Sequence, residues 1–265
     1  MVEFFVPAVP VRRLPVTLTE TSVLAVIPAR YQSTRLPGKA LLDIAGRSMI
    51  EHVYRRASAA RSIDAVLVAT DDERIVQAVE AFGGVACMTS PDHSSGTDRL
   101  AEVVADLRCG LIVGVQGDEP LLDPGVIDAA VAPLRADPDI PMGTAARRVH
   151  DADELANPNV VKVVCDGDGF ALYFSRAPIP HGRDRSAEGA ARVHVGLYVY
   201  RREALLRLAG LEPGPLERAE ILEQLRALEH GIRIKVVETG YESFGVDTPE
   251  DLVRIRQRML AGVHE

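Results

Sequence analysis

The sequence predicts an α/β fold: a mostly parallel sheet flanked by helices, with a smaller mixed-sheet lobe. Three observations carry that prediction. Short apolar, β-branched runs such as "VLAVIPA" and "LIVGV" alternate with amphipathic stretches of helical period. These runs are continuous rather than alternating, as in strands buried on both faces of a parallel sheet. Beyond about residue 159 the pattern changes to alternating runs and a Gly-Asp turn, which reads as antiparallel strands.

Taken in order, "SVLAVIPA" is a buried first strand. "SMIEHVYRRASAA" is a helix that places Met49, Ile50, Val53 and Ala57 on one side. "DAVLVAT" is a strand ending at Asp71-Asp72, and "ERIVQAVEAFG" a helix closed by Gly83. "GVACMT" is a short strand. "TDRLAEVVADL" is a helix with Thr97 as N-cap and Leu100, Val103, Val104 and Leu107 inward. "GLIVGVQ" is a strand, and "DPGVIDAAVAPLRA" a helix with Asp123 as N-cap and Pro124 at its first position. "NVVKVVCDGDGFALYFSR" reads as two strands joined at residues 166–169, and "VHVGLYVYRR" as another strand. "PLERAEILEQLRALEHG" reads as one helix closed by Gly231, and "IRIKVVET" as a strand. "VDTPEDLVRIRQRML" is a helix with Thr248 as N-cap, Pro249 at N1 and Asp251 at N3.

Composition narrows the function. The chain has 265 residues, 47% hydrophobic and 26% charged, enough for one large α/β domain. No apolar run reaches the length of a membrane span, and the Pro-broken N-terminus lacks the pattern of a signal peptide. Residues 1–21 are expected to be a poorly ordered extension, and residues 22–265 a single domain. Cys87, Cys109 and Cys165 are scattered and odd in number, which fits a reducing cytoplasm rather than a disulfide framework or metal site. The net charge of -8 argues against nucleic acid as a partner.

Against that acidic background, "ARYQSTRLPGK" stands out. In an open parallel sheet, ligands gather at the C-terminal ends of the strands. The loop after the first strand lies there, and its Arg30, Arg35 and Lys39 suit a polyphosphate; the competing reading is a solvated basic loop. It is neither a Walker A loop nor a dinucleotide fingerprint, because Ser33 and Ala40 stand at the diagnostic positions and no GxGxxG occurs. "VQGDEPLL" puts Asp118 and Glu119 where another buried strand must turn, and "GVDTPED" puts Asp247 before a capped helix. Each has a bland reading as turn or cap chemistry. Together, a basic loop and carboxylates for a hard cation such as Mg2+ form the minimum kit for metal-assisted nucleotidyl transfer.

These residues carry a resemblance. "VIPARYQSTRLPGKALLDIAGRSMIEHV", "VATDDERI", "CMTSPDHSSGTDRLAEV", "VQGDEPLL", "NPNVVKVV", "ALYFSRAPIP", "HVGLYVYRREAL", "PLERAEILEQLRALEHGIRIKVVET" and "GVDTPEDL" together resemble the CMP-Kdo synthetase (3-deoxy-manno-octulosonate cytidylyltransferase) family. The likeness runs in order from residue 23 to 258. It implies a Rossmann-like domain of the nucleotide-diphospho-sugar transferase type, with the smaller lobe over the sugar side. It implies transfer of CMP from CTP to the anomeric hydroxyl of the sugar acid, in the cytoplasm, by a homodimer that uses Mg2+. By the same resemblance Arg30, Arg35, Lys39, Arg99 and Gln116 hold the nucleotide, and Asp118 and Asp247 hold the metal. Arg176, His194, Tyr198, Glu223 and Gln224 hold the sugar. Lys39, Arg30, Asp118 and Asp247 carry the chemistry.

The chain departs from the family in "HGRDRSAEGAARV", which is shorter than usual and lacks its tryptophan. The segment borders the sugar side. Two alternatives therefore stay open: another 2-keto sugar acid, 8-amino-Kdo-like or sialic-acid-like, and a non-catalytic nucleotide-binding relative.

Overall fold

The computed structural model describes residues 14–33, 35–183 and 190–261. Residues 1–13 of the expected extension lie outside these, as do residues 184–189 of the departing segment. Residues 14–21 form no helix or strand, yet Leu14 and Leu18 pack against the core.

The first half builds β1 (Val23–Ala29), a small hairpin of β2 (Asp43–Ile44) and β3 (Arg47–Ser48), and α1 (Met49–Ser58). Then come β4 (Ala65–Thr70), α2 (Glu73–Ala81), β5 (Ala86–Met88), α3 (Gly96–Val104), β6 (Leu111–Gly114) and α4 (Pro124–Ala136). The second half adds β7 (Met142–Arg148), α5 (Ala152–Ala156), β8 (Lys162–Cys165), β9 (Ala171–Ser175) and β10 (Arg192–Arg201). It closes with α6 (Arg202–Ala209), α7 (Pro215–Glu220), α8 (Gln224–Glu229), β11 (Ile234–Glu238) and α9 (Pro249–Leu260).

The main sheet has the order β11-β7-β10-β6-β1-β4-β5. Its neighbours β1, β4, β5 and β6 pair in parallel, as do β7 and β11, while β10 runs against both β6 and β7. Six of the seven strands on this path therefore point one way. The β8–β9 hairpin hangs from β10 and forms the mixed extension. The chain leaves β1 toward β4 on one side and later returns as β6 on the other, so the order reverses between β1 and β6. That reversal opens a crevice at their C-terminal ends.

Alternate side chains of β1 feed two cores. Val23, Ala25 and Ile27 pack on one face with α1 and α4, while Leu24 and Val26 pack on the other with α3 and α6. Burial on both faces explains the unbroken apolar run. A third cluster joins Ile44 of the hairpin to Leu252, Ile255 and Met259 of α9, which anchors the C-terminal helix beside the basic loop.

Three local expectations need correction. The N-cap of α3 is Ser95, in a capping box with Asp98, and Thr97 lies inside the helix. Residues 215–231 form two helices rather than one. The break is at Ile221, whose φ of 55° is left-handed. It is held by side-chain bonds that a straight helix would not make: Arg226 donates to both carboxylate oxygens of Glu217 at 2.8 and 2.6 Å, and Ser175 Oγ donates to Glu220 at 2.6 Å. Strand β7, which runs from the end of "IPMG" into "RRVH", has no counterpart in the sequence reading. It is Gly-Thr-Ala-Ala in its middle, with too little side chain to show a strand pattern, and gains its place by pairing with β10 and β11.

Candidate active site

The basic loop leaves β1 at the crevice. It is closed by a bond from Gly38 N to Tyr31 O of 2.9 Å, with Gly38 at a φ of 70° that suits glycine. The Arg74 guanidinium from α2 sits 3.3 Å from the Tyr31 ring centroid and roofs the loop. The acidic loop "QGDEP" leaves β6 opposite. Gly117 is required there, because a Cβ would stand 2.9 Å from the Pro28 carbonyl at the end of β1. The acidic loop therefore runs against the backbone at the end of β1.

The side chains of the two loops line a cleft of about 360 Å³ together with Asp247. Arg30, Arg35, Lys39, Gln116 and Asp118 all contribute to it. At its centre the Lys39 ammonium donates to Asp118 Oδ2 at 2.6 Å and to Asp247 Oδ1 at 3.1 Å. Arg35 reaches the same oxygen of Asp247 at 3.2 Å. Arg30 donates to the His93 carbonyl at 2.7 Å. Burial works to lower the Lys39 pKa, but the two carboxylates outweigh it and hold the ammonium above its ordinary value.

Asp118 and Asp247 thus converge on one cation, the ammonium. Oxygen donors converging in this way are what Mg2+ takes, two carboxylates with the rest of the shell from water and phosphate. The residues present fit that ion. No group of three or more metal-ligating side chains occurs among the described residues, so an ion here would complete its shell from substrate and solvent.

Glu119 plays a different part from its neighbour. Only 6% exposed, it accepts from Ser243 Oγ at 2.6 Å and from Tyr241 Oη at 3.2 Å. Burial raises its pKa, and the two hydroxyls partly offset the rise.

Arg99 is not in the cleft. It is 0% exposed, donating to Asp71 Oδ2 at 2.9 Å and to Thr89 Oγ1. Enclosed by these partners, the guanidinium does not line the cleft. It instead locks the corner after β4 to the end of β5, behind the cleft.

The residues expected to hold the sugar form a second group, along β10 and the start of α8. His194 and Tyr198 stack with ring centroids 5.2 Å apart, and Phe174 meets the His194 ring edge-on at 5.2 Å. A bulge in β10 between Val195 and Tyr198 is filled by Thr144 of β7, whose hydroxyl donates to Leu197 O at 2.7 Å. With that proton committed, His194 Nε2–H is the donor in its 3.0 Å bond to Thr144. Burial pushes the His194 pKa down to about 3, so the ring is neutral and keeps its lone pair on Nδ1. Tyr198 Oη and Glu223 Oε1 are buried with no hydrogen-bond partner. Burial raises the pKa of both groups. The other oxygen of Glu223 accepts from Thr97 Oγ1 at 2.9 Å. The break at Ile221 puts Glu223 at the very start of α8, and Gln224 beside it is buried. The two groups meet where Gly196 of β10 faces the Gln116 side chain.

Arg176 departs from its expected role. Its guanidinium donates to the backbone carbonyls of Glu220, Pro158 and Ile221 at 2.8, 3.1 and 3.4 Å. It braces the turn between α7 and α8 against the loop that follows α5.

Sequence reasoning missed Thr97, Thr144, Tyr241 and Ser243. Thr97 sits in the quoted "SSGTDR" stretch but reads there as a cap. The other three act through partners far away in the chain, and nothing local marks them.

A basic loop facing an acidic loop across the reversal point of a parallel sheet, with buried polar groups alongside, defines a nucleotide-handling transferase. The model of the cytidylyltransferase family matches residues 24–234, and the chain belongs to that family. It is 56% identical over 241 residues to the 3-deoxy-manno-octulosonate cytidylyltransferase of Solibacter usitatus, covering 91% of this chain and 96% of that one. With the enzyme of the same name from Syntrophotalea carbinolica it shares 58% identity over 246 residues, 90% and 98% of the two chains. Among solved structures it superposes on CMP:2-keto-3-deoxy-manno-octonic acid synthetase complexed with CTP. The TM-score there is 0.88 at 45% identity, covering 92% of this chain and all of the other. The fold alone is shared with 4-diphosphocytidyl-2C-methyl-D-erythritol synthase of Anaerococcus prevotii, at 14% identity and a TM-score of 0.61.

Proposed function

We infer that this enzyme transfers CMP from CTP to the anomeric hydroxyl of 3-deoxy-manno-octulosonate, forming CMP-Kdo and pyrophosphate. The nucleotidyl half of that reading is carried by one observation: Lys39, Asp118 and Asp247 meet in a cleft at the sheet's reversal point. The sugar half is supported by relatives of that name at more than 50% identity over nearly their whole length.

The reaction is an in-line displacement. The anomeric oxygen forms a bond to the α-phosphorus, the bond from that phosphorus to the α–β bridging oxygen breaks, and the hydroxyl proton passes to solvent. No protein nucleophile is required. Catalysis is alignment and charge neutralisation. Arg30, Arg35 and Lys39 line the cleft as cations for the β- and γ-phosphates, and Gln116 offers its amide beside them. Asp118 and Asp247 are the residues that would hold Mg2+. When bound, that ion supplies Lewis-acid neutralisation of phosphate oxygens and lowers the pKa of the attacking hydroxyl. As the phosphates enter, Lys39 is free to exchange its carboxylates for them. On the sugar side, Tyr198 Oη, buried without a hydrogen bond, and Glu223 Oε1, which has only the Arg226 guanidinium at 3.9 Å, are poised to bond substrate hydroxyls, because a buried polar atom without a hydrogen bond is costly. His194, with Nε2 held by Thr144, offers Nδ1 as an acceptor. Gln224 completes that group. The Arg176 guanidinium reaches the sugar carboxylate only by giving up carbonyl bonds.

Two further readings belong here. No helix among the described residues is long and apolar enough to cross a membrane, and the thiols are free, which supports a cytoplasmic place. Exposed Leu172 and Leu216 lie on β9 and α7, and they support pairing of two copies through that lobe.

The test is product identification. Purified enzyme with CTP, Mg2+ and 3-deoxy-manno-octulosonate should release pyrophosphate and yield CMP-Kdo. Turnover with an 8-amino or sialic-type acid and none with Kdo would transfer the assignment to that acid. Binding of CTP without turnover on any 2-keto acid would make the protein a nucleotide-binding relative.

A further inference from the structure

The loop that carries Asp247 has no strand or helix of its own between β11 and α9. Something must hold Asp247 opposite Asp118, since the two residues lie on loops far apart in the chain. The "QGDEP" loop supplies the fastening. The Asp118 carbonyl accepts from Val246 N at 3.0 Å. The Glu119 carboxylate accepts from Ser243 Oγ and Tyr241 Oη, one oxygen each, within the same 241–246 stretch. At the far end, the Asp247 amide is tied to Asp251 Oδ2 at 3.0 Å, inside the capping box of α9. Glu119 does not line the cleft.

We propose that Glu119 is a positioning residue that clasps the 241–246 loop and so sets the separation of Asp118 and Asp247. The proposal rests on the reading that those two aspartates hold the divalent ion. It makes the "DEP" carboxylates unlike in kind: the first meets the ion, the second holds the loop that brings the other ligand.

Two kinds of variant separate the clasp from the charge. Glu119→Ala removes both. Glu119→Gln removes the charge but keeps both contacts, because Ser243 and Tyr241 hydroxyls can donate to its oxygen and accept from its amide. The double variant Ser243→Ala/Tyr241→Phe cuts the clasp from the other side and leaves the acid in place. Binding of Mn2+ in the presence of CTP, read by electron paramagnetic resonance, reports the site without turnover. Amide exchange at Val246 reports the loop. Glu119→Ala and the double variant should weaken Mn2+ binding about tenfold, the scale on which supports behind a metal ligand act. Both should also speed exchange at Val246, raise the Mg2+ needed for half-maximal rate and leave the KM for the sugar acid unchanged. Glu119→Gln should stay close to the parent in all of these.

A double variant that folds and binds Mn2+ like the parent overturns the clasp. So does a Glu119→Gln enzyme as weak as Glu119→Ala, since charge would then be the active property. If Glu119→Ala fails to fold, the double variant decides. Asp118→Asn measured alongside separates the two levels: normal Mn2+ affinity there overturns the metal reading itself, and with it the proposal, whereas loss there with an intact double variant overturns the clasp alone.

Discussion

The Lys39 ammonium lies 2.6 Å from Asp118 Oδ2, a bond across 79 residues of sequence, and the same nitrogen reaches Asp247, 208 residues away. A cation held between two carboxylates in a cleft is a preformed place for exchanging one set of charges for another. The first two predictions follow from it.

Lys39→Ala should lower turnover by at least about a hundredfold, the scale seen when one electrostatic stabiliser is removed. It should raise the KM for CTP as well, and leave the KM for the sugar acid near the parent value. Steady-state kinetics with each substrate varied in turn make the check. Unchanged CTP kinetics would mean that the loop's charge serves some other purpose.

Asp118→Asn and Asp247→Asn keep the shape of the cleft and remove half of its carboxylate charge each. Both should lose turnover on a similar hundredfold scale, with the loss deepest at limiting Mg2+. Melting temperatures should change little, since both side chains are partly solvated loop groups. Either variant with parent-like activity at low Mg2+ would remove that residue from the metal site.

On the sugar side, His194→Ala and Glu223→Ala should raise the KM for the sugar acid more than that for CTP. A His194 that merely packed between Phe174 and Tyr198 would instead cost melting temperature with little change in either KM. Kinetics and a thermal melt on the same preparations distinguish the two.

His194 also makes a pH prediction. Its folded pKa of about 3 lies below the ordinary 6.5, so over that window the unfolded chain takes up a proton that the folded chain refuses. The stability it contributes is complete above about pH 6.5 and is lost as pH falls toward 3. Melting temperature should therefore drop on acidification from pH 7 to 4. The drop should be shallower in His194→Asn, which does not titrate. Parallel profiles for the two proteins would count against a neutral, desolvated imidazole.

Ile221 carries a left-handed φ of 55° while 79% exposed, a conformation that crowds a β-branched side chain. Ile221→Gly removes the crowding, at some cost in unfolded-chain entropy. A net gain of about 0.5–1 kcal/mol is expected from the balance of these effects. That corresponds to a rise of roughly 1–4 °C in melting temperature for a chain of this size. A fall would mean that the isoleucine is needed where it stands.

Local chemistry made much of this protein legible. Val23 to Ala29 had to be a strand buried on both faces, because a continuous apolar, β-branched run has no face to give to water. Asp123-Pro124 and Thr248-Pro249-Glu250-Asp251 had to start helices, because their oxygens meet otherwise orphaned N–H groups within three residues. The charge of Arg30, Arg35 and Lys39 was equally plain, and so was its place at a strand end. What the sequence left undecided depends on partners distant in the chain. Arg99 looked like a nucleotide ligand until Asp71 and Thr89 were seen to enclose it. Arg176 looked like a sugar ligand until the carbonyls of Pro158 and of the turn after α7 were seen to take up its guanidinium. The break at Ile221 follows from Glu217–Arg226 and Glu220–Ser175 bonds, and β7 exists because β10 and β11 flank it. Caps, turns and strand burial are settled over a few residues, where side-chain chemistry acts directly on its own backbone. The direction in which a long charged side chain is spent depends on which elements the fold packs beside it, and only the assembled sheet brings those elements together.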